Sequence, residues 1–261
     1  MRMEHAESAD GTRIAFVRRG DGPPVVIVGG AFSTAQAGLP LAEALAGAGL
    51  QGVAVDRRGR GGSSDTHPFA PEREAEDLGA VIEAVGGSAA VLGHSSGAVL
   101  ALFAAVQGVR ATHLFLSEPP FRFGEAEPPA DLPERMQALV DAGNPADAVT
   151  LFQREGVGLP DAVVEQIRAS PLLEQLVPLA QSAVYDALLT RALSTPTAAM
   201  TAVTVPVTIL RGEPTFPVLV TAAERLASAL PQAELVVVPE SRDHAVDPAG
   251  TTREVLRRLG H

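Results

Sequence analysis

The sequence predicts an α/β fold, a mostly parallel central sheet flanked by helices, with a helical insertion between two of its strands. Three observations predict it. Short runs such as Val25-Val26-Ile27-Val28 and Ala89-Ala90-Val91-Leu92 are apolar without alternation, as parallel strands covered on both faces are. They are separated by stretches whose apolar residues recur at three- and four-residue spacing, so strand and helix patterns take turns along the chain. From Phe121 to about Thr201 that rhythm stops, and short helices broken by prolines replace it. The predicted organisation is therefore a core of residues 1–120 and 202–261 with an insertion at 121–201.

Composition narrows the class. With 261 residues and 46% apolar content the chain suits one large soluble globular domain around one main core. A net charge of −11 would repel nucleic acid and anionic membrane surfaces, and the arginines form no stripe, so neither partner is expected. The absence of cysteine excludes disulfides, Cys-ligated zinc and a thiol nucleophile. The opening residues, Met1 to Asp10, are polar where a secretory signal would be apolar, and a cytoplasmic location is expected. His5, His67 and His113 lie on separate segments with no helical ligand spacing, so neither a metal nor another cofactor is expected.

The elements follow in order. Thr12 to Arg18 alternates polar and apolar residues, predicting a half-exposed strand near a sheet edge that ends at Gly20-Asp21-Gly22-Pro23-Pro24. Val25 to Val28 predicts a central strand running into Gly29-Gly30-Ala31-Phe32. Leu41, Leu45 and Leu50 mark a helix from about Thr34 to Ala48, and Gly52 to Asp56 a short strand. The loop from Asp56 to Asp65 lacks the Gly-Lys-Ser/Thr ending of a phosphate loop, so its arginines and aspartates are expected to pair locally. Pro71 to Val85 predicts an amphipathic helix through Leu78, Val81, Ile82 and Val85.

Ala89 to Phe103 carries the densest signal, an apolar strand, the pentapeptide Gly93-His94-Ser95-Ser96-Gly97, and an apolar helix running to about Gln107. Glycines flanking the serine let strand and helix pack closely while the serine sits at a sharp turn with its hydroxyl exposed, so Ser95 is the candidate nucleophile. The strand Ala111 to Leu116 leads to Glu118, an acid at a strand's carboxyl end, where ligands gather in parallel sheets. The insertion reads as a lid, apolar beneath, with Phe121, Phe123, Phe152 and Tyr185 candidates for lining a pocket. Strands at Val205–Leu210 and Glu234–Val238 enclose a helix from about Val218 to Leu230, and the final loop Pro239 to Pro248 contains His244.

Val-Ile-Val-Gly-Gly-Ala-Phe, Val-Asp-Arg-Arg-Gly-Arg-Gly-Gly-Ser-Ser, Gly-His-Ser-Ser-Gly, Leu-Ser-Glu-Pro-Pro and Asp-His-Ala-Val-Asp-Pro, in this order, resemble the α/β-hydrolase superfamily over nearly the whole chain. The resemblance implies the α/β-hydrolase fold, Ser95 as nucleophile and His244 as the histidine of a triad. It implies two oxyanion N–H donors, Ala31 (with Phe32 the fallback) and Ser96. Members commonly carry an aspartate after the strand equivalent to Val207–Leu210, but Gly212-Glu213-Pro214-Thr215 stands there, with Thr215 about where the acid would be. Glu118 is the leading acid, because some members place theirs on the preceding strand; Glu213, Asp243 and Asp247 compete, the last also as a helix cap. The implied activity is a serine hydrolase acting on a carboxylic ester, lactone or thioester of a small, largely apolar substrate through an acyl-enzyme. Phe32, His94, Phe121, Phe123 and Tyr185 are the candidate substrate contacts. The alternative is a non-hydrolytic lyase or cyclase of the same fold using His244 as general base.

Overall fold

A computed structural model describes residues 2–260. Its strands are β1 (Glu4–Glu7), β2 (Arg13–Arg19), β3 (Pro24–Val28), β4 (Gln51–Val55), β5 (Ala89–His94), β6 (Ala111–Ser117), β7 (Val207–Gly212) and β8 (Ala233–Val238). They form one sheet in the order β1-β2-β4-β3-β5-β6-β7-β8, antiparallel across β1, β2 and β4 and parallel from β4 onward. The helices of the sheet layers are α1 (Ala35–Gly47), α2 (Pro71–Ala84) and α3 (Ser96–Val106). Between β6 and β7 come α4 (Leu132–Asp141), α5 (Pro145–Leu151, prolonged by a π-helical turn at Phe152–Val157), α6 (Asp161–Arg168), α7 (Pro171–Leu176), α8 (Ala180–Ala192) and α9 (Ala198–Thr201). The chain ends with α10 (Pro217–Ala229) and α11 (Pro248–Leu259).

Proline explains much of this segmentation. Pro71, Pro133, Pro145, Pro171, Pro217 and Pro248 each fall in a helix's first turn, where the missing N–H has no partner to lose. The apolar runs then sort by face. Leu78, Val81 and Ile82 of α2, most of α3, and Ala223 and Leu226 of α10 pack on one side of the sheet. Leu39, Leu41 and Leu45 of α1 and Val255 of α11 cover the other. The helical insertion has its own core of Leu132, Met136, Val149, Phe152 and Val184, which rests on Ala31 and Phe32 of the β3–α1 loop. Among the described residues no helix is long and apolar enough to cross a membrane.

Two expectations need correction. The strand expected to be half-exposed near the sheet edge is β2; it stands one place in from the edge, but Ile14, Ala15, Phe16 and Val17 are at most 1% exposed. Its outer neighbour β1, Glu-His-Ala-Glu, buries only Ala6 and so carries no apolar signature. The arginines of the Asp56–Asp65 loop also do not pair locally. Arg57, Arg58 and Arg60 are buried and meet carboxylates on other elements, Arg57 with Glu74 and Asp186, Arg58 with Asp77 and Asp10, and Arg60 with Asp186. Asp56 caps backbone instead, accepting from the Ala35 amide at 2.6 Å and the Gly62 amide at 2.9 Å.

A buried charge that loses its partner pays the desolvation penalty uncompensated. Arg58 forks onto Asp77 at 2.7 Å through Nε and Nη2. Arg58→Ala is expected to lower the unfolding free energy by about 3–5 kcal/mol, read from urea titration. Arg110→Ala, which breaks only the exposed pair with Glu83, should leave the midpoint almost unmoved.

Candidate active site

The turn from β5 into α3 places Ser95 at φ 54° and ψ −125°, a conformation non-glycine residues rarely adopt. Close packing around the turn holds it there. A Cβ on Gly93 would stand 2.3 Å from the Gly97 carbonyl oxygen, and one on Gly97 would stand 2.2 Å from that of Val28. Ser95 donates its amide to the Ser117 carbonyl at 2.9 Å, tying the turn to the end of β6. From the other side comes the β3–α1 loop. A Cβ on Gly30 would lie 2.7 Å from Ser95 Cβ and 3.3 Å from its Oγ, so glycine here lets backbone lie directly against the hydroxyl. Ser96 begins α3, and its amide is one of the first-turn donors that lack an intrahelical acceptor and sit at the helix's positive end.

The second half of the site comes from the ends of β6, β7 and β8. Glu118 follows β6 at φ 47° and is 3% exposed. Its Oε2 accepts from His244 Nδ1 at 2.5 Å and its Oε1 from the Gly212 amide at 2.9 Å. Burial pushes this carboxyl up, but the hydrogen bonds from His244 and Gly212 outweigh it and hold Glu118 below the usual glutamate value. Gly212 leaves the room this needs, since a Cβ there would meet the Ser241 carbonyl at 2.5 Å and Glu118 Oε1 at 3.2 Å. His244 sits at φ 65° after Asp243 at φ 50°, in a loop fastened by the Asp243 amide on the Pro214 carbonyl at 2.9 Å. In the neutral ring, an Nδ1–H donating to Glu118 leaves Nε2 as the acceptor nitrogen. Of the other carboxylates, Glu213 and Asp243 are exposed, and Asp247 caps α11 through the Gly250 amide at 2.6 Å.

Ser95 and His244 line one cavity of about 560 Å³. Ala31, Phe32 and His94 line it from the sheet side, and Leu132, Phe152, Val157 and Leu159 from the insertion. Phe32 and Phe152 meet edge to face at 5.6 Å. At the exposed rim stand Val157 and Phe216, each 42% exposed, with Val218. Three charged residues, Arg122, Glu127 and Arg191, also face it, and Arg191 is paired with Glu134.

Three expected substrate contacts are elsewhere. Phe121 is 2% exposed in the sheet core, and Phe123 packs beside it under the Arg225 guanidinium, 4.7 Å from the ring. Tyr185 faces the opposite way, its ring stacked on Phe69 at 4.4 Å and its hydroxyl donating to Asp65 at 2.7 Å. Burial and that carboxylate push the phenol above its ordinary range. The aromatic pattern found ring-bearing residues but not their direction. Phe216, missed by the sequence reading, had a usable signal, since it lies just beyond the carboxyl end of β7, the edge that carries the rest of the site.

His94 lies under His244, ring centroids 4.5 Å apart, with its Nδ1 3.2 Å from Ser117 Oγ. Removal from water, with His244 beside it, pushes its pKa down to about 3. A histidine neutral when folded and protonated when unfolded loses stability as pH falls from about 6.5 toward about 3. His94→Gln should therefore flatten the dependence of the urea midpoint on pH across that interval. An unchanged slope would contradict the neutral assignment.

The arrangement has relatives. A model of the alpha/beta hydrolase family matches residues 25–255. An alpha/beta hydrolase from Sphaerobacter thermophilus DSM 20745 superposes with a TM-score of 0.90 at 40% identity, over 98% of this chain and 100% of that one. A hydrolase from Pseudomonas aeruginosa PA01 (TM-score 0.74, 21% identity, 100% and 99% covered) shares the fold. So does the esterase EaEST from Exiguobacterium antarcticum (0.75, 18%, 100% of both chains). No protein of curated function matches. The matched span takes in the serine turn, Glu118 and the His244 loop alike, and the chain belongs to the alpha/beta hydrolase family.

Proposed function

We propose that this protein is a serine hydrolase that cleaves carboxylic esters, lactones or thioesters of small, largely apolar substrates through an acyl-enzyme. The observation that carries the reading is the 2.5 Å bond from His244 Nδ1 to the buried Glu118, made on the wall of the same cavity that Ser95 lines. That bond orients the imidazole and leaves Nε2 free to take a proton. Ser95 Oγ attacks the substrate carbonyl carbon as its proton passes to His244 Nε2. The carbonyl oxygen becomes an oxyanion, stabilised by the Ala31 and Ser96 amides. The tetrahedral intermediate collapses, the leaving alcohol or thiol takes the proton from His244, and Ser95 retains the acyl group as an ester. A water deprotonated by His244 then attacks that ester, and the acid leaves as Ser95 recovers its proton.

Electrostatics supports the division of labour. Glu118 is held ionised and can balance the imidazolium that forms on His244, whereas His94 stays neutral against the same ring and does not oppose that charge. The insertion, residues 121–201, acts as the lid, and its apolar wall suits an acyl chain better than a sugar or nucleotide. Several structural neighbours are esterases, and one is a thioesterase domain from the curacin biosynthetic pathway.

A fluorophosphonate probe should add a single covalent mass to the folded protein, located on Ser95 by peptide mapping, and Ser95→Ala should abolish both the adduct and ester turnover. A folded wild-type protein that takes no adduct would refute the acyl-enzyme. Glu118→Gln should keep the fold and lower kcat by about 10⁴-fold, the scale for a triad whose acid no longer fixes the histidine tautomer.

A further inference from the structure

Asp186 is wholly buried on α8, inside the insertion, and no step above uses it. Its Oδ1 accepts from Ser96 Oγ at 2.6 Å and from Arg57 Nη1 at 2.7 Å, and its Oδ2 accepts from Arg60 Nη2 at 2.6 Å. Arg60 continues inward, its Nη1 donating to the Gly30 carbonyl at 2.6 Å and the Ser33 carbonyl at 3.2 Å. Arg57 is clamped by Glu74 at 2.8 and 2.6 Å, and its Nη1 also reaches Ser96 Oγ at 3.1 Å. The four side-chain charges cancel. Burial pushes the Asp186 carboxyl up, but Arg60, Arg57 and Ser96 hold it below its ordinary value.

The two groups this network grips are the two halves of the oxyanion site. The Gly30 carbonyl and the Ala31 N–H belong to one trans peptide plane, and in such a plane they point in opposite directions. A guanidinium holding that carbonyl on the buried side therefore turns the Ala31 N–H toward the cavity that Ala31 lines. Drawing electron density onto the oxygen also makes the N–H a stronger donor. On the other half, Asp186 and Arg57 hold the Ser96 hydroxyl, which fixes the residue whose amide is the second donor. Ala31 and Ser96 come from elements distant in sequence, and a single carboxylate sets one against the other. That carboxylate is supplied by the insertion.

We infer that Asp186 and Arg60 are positioning residues that hold the Ala31 and Ser96 amides in register, so that the insertion builds the oxyanion hole as well as roofing the cavity. The inference rests on the serine hydrolase reading. Arg60→Lys keeps the charge but lacks a planar fork able to grip Gly30 and Asp186 together. It should lower kcat for a short p-nitrophenyl ester by about 10- to 100-fold, below the cost of deleting a donor outright, with KM changed less than about threefold. Ser96→Ala keeps the amide and leaves Asp186 with both arginines, so it tests the link in a protein that still folds. Its kcat should fall by about three- to tenfold. An alkyl boronate, which forms a tetrahedral adduct on serine, separates positioning from packing. Its inhibition constant should weaken in step with kcat/KM in both variants. A boronate constant at the wild-type value in Ser96→Ala and in any folded Arg60→Lys, with only the thermal midpoint lowered, would reduce the network to a structural one. If wild-type protein neither hydrolyses the ester nor labels at Ser95, the hydrolase reading itself fails, and this inference with it.

Discussion

Everything in this structure depends on how closely α3 approaches the sheet. Parallel strands and their helices ordinarily keep a side chain's width between them, yet here the first turn of α3 lies against the carbonyls of Val28 and Gly29 and the backbone of β5. Only residues without Cβ tolerate that distance, which places Gly93 and Gly97 on either side of the turn. The intervening residue is driven to positive φ, and that strain, of order 1–3 kcal/mol, is offset by the apolar helix behind it, buried from Ser96 to Ala104. Three consequences follow. The hydroxyl projects from the carboxyl edge of the sheet, the helix's positive end faces the same point, and the β3–α1 loop must also be glycine where it passes.

Much of this was legible in the chain because it is local. A strand, a turn and a helix contiguous in sequence announce themselves through unbroken apolar runs and obligatory glycines, as at Val25–Gly30 and Ala89–Phe103. The place of Glu118 was also legible, since it stands just past the end of a central strand, at the carboxyl edge where ligands gather in parallel sheets. What failed did so for a physical reason. β1 is four residues long and buries only Ala6, so its pattern is that of a polar tail. Phe121, Phe123 and Tyr185 carry the right chemistry, but a helical or irregular segment can point an aromatic ring toward the cavity or away from it. Composition has no bearing on that choice.

The buried arginines belong to a third category, in which the residues were visible and their partners were not. Arg57, Arg58 and Arg60 sit among glycines and serines in a stretch that reads as a polar surface loop. In the folded protein the loop passes beneath the insertion, and three of the four carboxylates that satisfy its arginines are Glu74, Asp77 and Asp186, the fourth being Asp10. Glu74 and Asp77 look from the sequence like acids in the first turns of an amphipathic helix, and Asp186 like one acid among many. A chain with net charge −11 has acids to spare, so no count of charges could single out these three. Pairing across 126 to 129 positions is a property of the fold alone.

Why a charged network should occupy this place, when apolar packing would stabilise as well, follows from direction. Removing four charges from water gives little or no net stability, and apolar groups of the same shape often do better. An apolar contact, however, restrains position and leaves a peptide plane free to rotate by small angles. A guanidinium fork sets the angle, because its donors are coplanar, and Nη1 and Nη2 of Arg60 both meet acceptors. The Gly29-Gly30 segment beside Ser95 has no side chain to restrain it, since a Cβ on Gly30 would stand 2.7 Å from Ser95 Cβ. The position that most needs an angular restraint is thus one whose own side chains cannot supply it. A restraint built into the β3–α1 loop itself would require bulk that Ser95 does not allow, so it has to come from outside, through Arg60 and from the far side of the chain.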